Sequence, residues 1–272
     1  MEHQLWFTAL LNKLLAGVVT PMLVGISHLH GFAWVKPADA AHPIPNYIAM
    51  EVMVILVILI GAILLRRRLS VENPGKFQHA MEVVVEFTRD MNQEIIGHHS
   101  ERYIGMIATL GIFILVCNLW GLVPSLATPT ARIEVTLGCA VAAFLFYNFH
   151  GIRHHGVVGY LKHFCGPMMA IAVIMFPIEV ISNFGRLLSL SVRLMANMMV
   201  GNVLDRVFGE LIPGVFHALL GQNFIGQVLP GVMSALAPVV FMALHIFVSL
   251  LQAYIFMLLP AIYVSMAVSE EH

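Results

Sequence analysis

Three charged residues seven apart, Glu179, Arg186 and Arg193, stand in a stretch of chain that is otherwise apolar enough for the interior of a bilayer. On an α-helix that spacing returns each side chain to nearly the same face, with a drift of about 20° per heptad. Ser182, Asn183, Ser189 and Asn197 fall three or four residues away and share the stripe. A guanidinium at membrane depth costs at least ~2.5 kcal/mol on insertion scales, and it cannot shed its proton as a lysine can. Arg193 therefore needs an anion. Glu179 can pair with Arg186 across two turns, but it lies about four turns from Arg193, and Asp205 more than three. The anion that suits Arg193 best belongs to another protein. A sparser stripe, His245, Ser249 and Gln252, follows near the C-terminus at spacings of four and three. If the two helices pack antiparallel, Gln252 meets Arg193 near mid-membrane and His245 lies toward the outer side. Plainer roles compete. Asn197 suits an interhelical hydrogen bond, a common glue in membranes, and a lone histidine is more often packed than a ligand.

The rest of the chain sets the solvent. Of 272 residues, 59% are apolar and 11% charged, whereas soluble domains carry roughly 25% charged residues. An integral membrane protein follows. A net charge of -1 without a long basic run argues against a nucleic-acid partner. Cys117, Cys139 and Cys165 show no framework or metal spacing and read as buried thiols.

A first span over 47–65 ends at Arg66-Arg67-Arg68, cytoplasmic by the positive-inside rule, which leaves the N-terminus outside. Asn73-Pro74 signals the start of an amphipathic helix over about 74–97, too charged to cross and suited to the interface. Further spans are expected over 104–123 and 135–149, the latter leaving into Arg153 and Lys162 on the cytoplasmic side. Two regions, about 168–212 and 225–268, exceed the ~20 residues of an upright span and are punctuated by Pro177, Gly185, Gly201, Pro238 and Pro260. Long, tilted or kinked helices accommodate them. Residues 1–45 form an amphipathic interfacial or targeting segment, interrupted by Asn12 and Lys13, and a linker. The expected fold is thus all-α: about five membrane-spanning helices and one interfacial helix in a single polytopic domain, 46–272, with the C-terminus cytoplasmic.

The run Ser189-Leu190-Ser191-Val192-Arg193-Leu194-Met195-Ala196-Asn197-Met198-Met199-Val200-Gly201 resembles the signature of subunit a of the F-type ATP synthase, the stator subunit beside the rotating c-ring. Leu251-Gln252-Ala253-Tyr254-Ile255-Phe256-Met257-Leu258-Leu259, followed by Ala261-Ile262-Tyr263-Val264-Ser265-Met266-Ala267, resembles its second signature. Gly121-Leu122-Val123-Pro124 with Thr128-Pro129-Thr130 resembles a weaker third. The resemblance runs from about residue 45 to the end. It implies a proton-translocating subunit of the Fo sector in a bacterial-type plasma membrane, its last two helices packed against the rotor ring. The implied partners are the c-ring, the peripheral-stalk b subunits, the other synthase subunits and lipid. Arg193 is then the residue facing each passing ring carboxylate. Asn197, His245 and Gln252 would line an outer half-channel; Glu179, Asn183, Arg186 and Ser189 would lie toward an inner one. Many family members carry a carboxylate directly after the glycine that is Gly201 here, but this chain has Asn202, so Asp205 is the expected substitute and Glu210 the next candidate. The chain has no P-loop, so the ATP chemistry is expected in other subunits, and neither cofactor nor metal is expected here.

Two other classes compete. Fourteen histidines suggest a membrane redox subunit binding haem or quinone, yet His245 alone sits well inside an expected span. A stand-alone ion transporter would need its own anion for Arg193 and a repeat or filter, and the sequence offers none.

Overall fold

The computed structural model describes residues 5–27, 43–70, 74–97, 100–122, 126, 128–163, 172–219 and 224–268; side chains at 25–27, 161–163, 172–173, 202, 204–206, 208–219, 224–235 and 237–238 are outside the description. All the regular structure described is helical. In order it comprises α1 (Trp6–Ser27), α2 (Asn46–Arg67), α3 (Lys76–Ile96), α4 (Glu101–Trp120), a 3-10 turn (Pro129–Ala131), α5 (Ile133–His163), α6 (Ala172–Leu219) and α7 (Phe224–Val268). Trp6–Val24, Asn46–Arg67, Glu101–Trp120, Ile133–Tyr160 and Val239–Val268 are long and apolar enough to cross a membrane by length and composition. α1 joins this group, although the sequence points to an interfacial or targeting role. α6 is outside the group; it carries the polar stripe, and its 48 residues extend about 72 Å, over twice the ~30 Å hydrocarbon core.

Local chemistry explains several boundaries. α3 begins not at Pro74 but at Lys76, with Gly75 in extended conformation as its N-cap; Asn73 lies outside the described residues. Its amphipathic pattern buries Gln78, Thr88, Met91 and Asn92 and leaves the carboxylates exposed. Gly97, at φ +78°, ends it, its N–H bonded to Gln93 O, a left-handed stop that glycine tolerates best. α5 runs on to His163, past the apolar stretch that ends near Phe149. Hydropathy marks where apolar sequence stops; helical hydrogen bonding need not stop with it. The break comes instead at Gly156, at φ +73° and ψ 165°, a conformation essentially reserved for glycine.

α1 is tied to the start of α2 by one buried amide. Asn12 Nδ2 donates to Ile44 O at 3.1 Å, and Ile44 N donates to Asn12 Oδ1 at 3.0 Å. The polar interruption in α1 is thus a satisfied strut.

The core lies between α4, α5, α6 and α7. One cluster joins Met91 and Tyr103 to Tyr147, Tyr160, Met257 and Val264. Another joins Leu110, Ile114, Cys139 and Ala143 to Leu190, Leu194, Met198 and Phe256. Small residues permit the close approach expected of membrane helices: a Cβ on Gly111 of α4 would overlap the Met257 side chain of α7. Thr88 Oγ1 of α3, which donates to Val84 O at 2.7 Å, also lies 3.7 Å from Met257 Sδ, so α3, α4 and α7 converge on one thioether. Cys117 and Cys139 are buried free thiols, and Cys165 lies outside the described residues.

Candidate functional site

α6 and α7 pack antiparallel, as three contacts in reverse order show. Gly201 faces His245, Asn197 faces Gln252, and Arg186 lies over the ring of Tyr263. This register divides the polar residues into two groups with Arg193 between them along α6.

The first group surrounds a cavity of about 170 Å³ lined by Asn197, Gly201, Phe241, Leu244, His245 and Val248. That is room for several waters, since one needs only ~10–15 Å³ of such volume. Gly201 makes space for the imidazole: a Cβ there would lie 2.5 Å from His245 Cε1 and 2.6 Å from Nδ1. Asn197 Nδ2 donates to Gln252 Oε1 at 3.1 Å. Gln252 is almost fully buried, and its Nε2, like Ser249 Oγ, has no hydrogen-bond partner among the described residues. Buried amides and hydroxyls of this kind are costly unless water reaches them.

The second group lies toward the opposite end of α6. Arg186 Nη2 donates to Glu179 Oε1 at 3.4 Å, and its guanidinium stands 5.3 Å from the Tyr263 ring centroid. Tyr147 OH donates to Asn183 Oδ1. Asn148 Oδ1 accepts from Tyr160 OH at 2.9 Å and from Asn183 Nδ2 at 3.5 Å. A cavity of about 30 Å³ among Tyr147, Tyr160, Glu179, Asn183, Arg186 and Tyr263 has room for a water or two.

Arg193 belongs to neither group. Leu190 and Leu194 turn inward, while Arg193, about 100° round the helix from Leu194, is exposed. It makes no hydrogen bond or ion pair with any described residue. Exposed Val192, Val200, Phe247, Leu250 and Leu251 give its flank of α6 and α7 an apolar character, the kind of surface that meets lipid or another chain. Two residues before it, Ser191 Oγ lies 3.2 Å from Thr136 Oγ1, a buried contact that fixes α6 against α5.

The structure thus brings His245, Asn197 and Gln252 together on one side of Arg193, and Glu179, Asn183 and Arg186 on the other. Gln252 meets Asn197, one turn from Arg193, and forms no hydrogen bond with the arginine itself. Ser189 is exposed on the Arg193 flank. Asn202, Asp205 and Glu210 ride on α6, but their side chains lie outside the described residues. Sequence reasoning missed Tyr147, Asn148 and Tyr160. The adjacent Tyr147-Asn148 pair inside an apolar run was a readable signal; Tyr160, in a polar tail, offered none. Among the described residues no three His, Cys, Asp or Glu side chains group to hold a metal.

The family model described as ATP synthase A chain matches residues 48–265. A protein of Koribacter versatilis, ATP synthase subunit a, is 44% identical over 272 residues, covering all of both chains. Another of that name from Solibacter usitatus is 42% identical over 86% of this chain and 92% of its own. ATP synthase subunit a 3 of Pelobacter propionicus is 37% identical over 81% of this chain and 86% of its own.

Proposed function

The chain belongs to the ATP synthase A chain family, as an F-type subunit a, and from that premise we propose that Arg193 is the fixed charge past which a ring of carboxylates carries protons. The subunit is an all-helical membrane protein of ATP synthesis and proton transport. The supporting observation is an exposed arginine, without an ion pair among described residues, on an apolar flank between a cavity that Asn197 and His245 reach and a second one among Glu179, Asn183 and Arg186.

A ring carboxylate facing hydrocarbon must be neutral, because ionising it there is prohibitively costly. Beside Arg193 it can ionise. The cavity at His245 and Asn197, with Gln252 bonded to Asn197 beside it, is the outer half-channel: it brings a proton to a ring carboxylate before that carboxylate turns into lipid. Histidine suits this relay, with an unperturbed pKa of ~6.5. On the other side of Arg193, a ring carboxylate that has come round releases its proton toward Glu179, Asn183, Arg186 and Ser189. The guanidinium bars direct passage between the cavities, and each proton thus conserved is worth ~2.3 kcal/mol per 100 mV. Asp205, one turn beyond Asn202, supplies the carboxylate missing from the outer path.

The c-ring is the moving partner, and the b subunits hold this chain against it. The triple arginine at 66–68 and the charged end of α5 face the cytoplasm, with the N-terminus outside and the C-terminus inside. ATP is made or consumed elsewhere in the complex.

ATP-driven proton pumping in sealed vesicles tests the assignment. Arg193→Ala and Arg193→Gln are expected to abolish pumping while the complex still assembles; pumping retained by either rejects it. In the same vesicles Asp205→Asn is expected to slow pumping, and an unchanged rate removes Asp205 from the path.

A further inference from the structure

The tail of α5 folds back on its own helix. At Gly156 the backbone leaves helical geometry, with φ +73° and ψ 165°, and the following turn brings Tyr160 against Gly151. A Cβ on Gly151 would overlap the phenol ring, so that glycine is a notch into which the ring fits. Tyr160 is 7% exposed. Its hydroxyl donates to Asn148 Oδ1 at 2.9 Å, the acceptor that Asn183 Nδ2 also reaches. The ring lines the 30 Å³ cavity that contains Glu179 and Arg186.

A tyrosine held in this way does more than pack. Removing its ring would enlarge a cavity that now admits a water or two and would open it toward the α5 tail. Glycines at 151 and 156 have one geometric consequence in common: they seat an aromatic ring over a polar cavity that three helices otherwise leave accessible.

Taking the inner-cavity assignment above as its basis, we propose that Tyr160 is a positioning residue of the inner exit: its ring closes the tail side of the cavity and sets water access to the buried Asn183 and Ala267 that line it. Protons leaving by this route therefore pass along a narrow file of water and not through an open vestibule.

Thiol labelling of the intact complex in inside-out vesicles tests this, with Cys117, Cys139 and Cys165 replaced by alanine and Ala267→Cys as reporter. Ala267 lines the cavity and is nearly buried. Tyr160→Ala is expected to raise the rate of modification by a charged methanethiosulfonate at least ~10-fold, because the ring that excludes it is gone. Tyr160→Phe keeps the ring and is expected to stay within ~2-fold of the parent. Gly156→Ala, which leaves the cavity lining untouched but strains the fold-back, is expected to raise the rate as well. An unchanged rate in Tyr160→Ala, or an equal rise in Tyr160→Phe, overturns the proposal. If Tyr160→Ala does not assemble, Gly156→Ala decides: a rate equal to the parent overturns it. Labelling needs no turning ring, so this result stands apart from the pumping of the Arg193 variants.

Discussion

Arg193 and His245, on neighbouring helices, occupy opposite kinds of environment. The arginine stands free on an apolar flank, whereas the histidine is buried against a glycine that leaves just enough room for its ring. Gly201→Ala is therefore expected to displace the imidazole and reduce ATP-driven pumping about 10-fold or more, since a 1 Å misplacement of a reacting group can cost ~10²-fold. Vesicle pumping alongside assembly of the complex measures it, and an unaltered rate would show that imidazole placement is irrelevant. Most of this site was legible in the sequence, because charges and amides in a bilayer-length apolar run have few structural excuses. Glu179 and Arg186 pair at 3.4 Å, as their seven-residue spacing suggests. What could not be read was the partner of each amide: spacing put Gln252 near Arg193, but packing bonded it to Asn197, one turn farther along.

Helices position these residues through close contacts at small side chains. Gly111 admits Met257, and an alanine there would force the thioether out of its site between α3, α4 and α7. Overpacking a tight contact costs about 1–3 kcal/mol; Met257 is flexible, which favours the lower end. Gly111→Ala is expected to lower the thermal inactivation temperature of the complex, and adding Met257→Ala to recover part of the loss. No shift in Gly111→Ala would mean that α4 and α7 are not locked there. Hydropathy and amphipathic periodicity found the helices, but not their ends. α3 starts at Lys76, after an extended Gly75, and α5 stays helical past the end of its apolar run until the break at Gly156. The fold-back at Gly156 depends on a single backbone conformation, which leaves no periodic trace.

As a whole the chain exposes apolar side chains on nearly every helix, including α2, α6 and α7, so lipid and partner subunits complete its burial. A ring of small membrane proteins is expected to co-purify with the intact subunit in mild detergent; purification of the chain alone under those conditions would count against the stator assignment. The Thr88–Met257–Gly111 junction has a mechanical consequence. On the proposed reading, a rotor turning against α6 and α7 would push them sideways, and helices that merely touched would slide apart under such a load. Here α7 is keyed into α4 by a missing side chain and packs its sulfur against a hydroxyl of α3. The thrust would then pass to the charged helix α3, which its carboxylates keep out of hydrocarbon. On that reading torque is borne by the headgroup layer, and the bearing surface stays greasy and smooth.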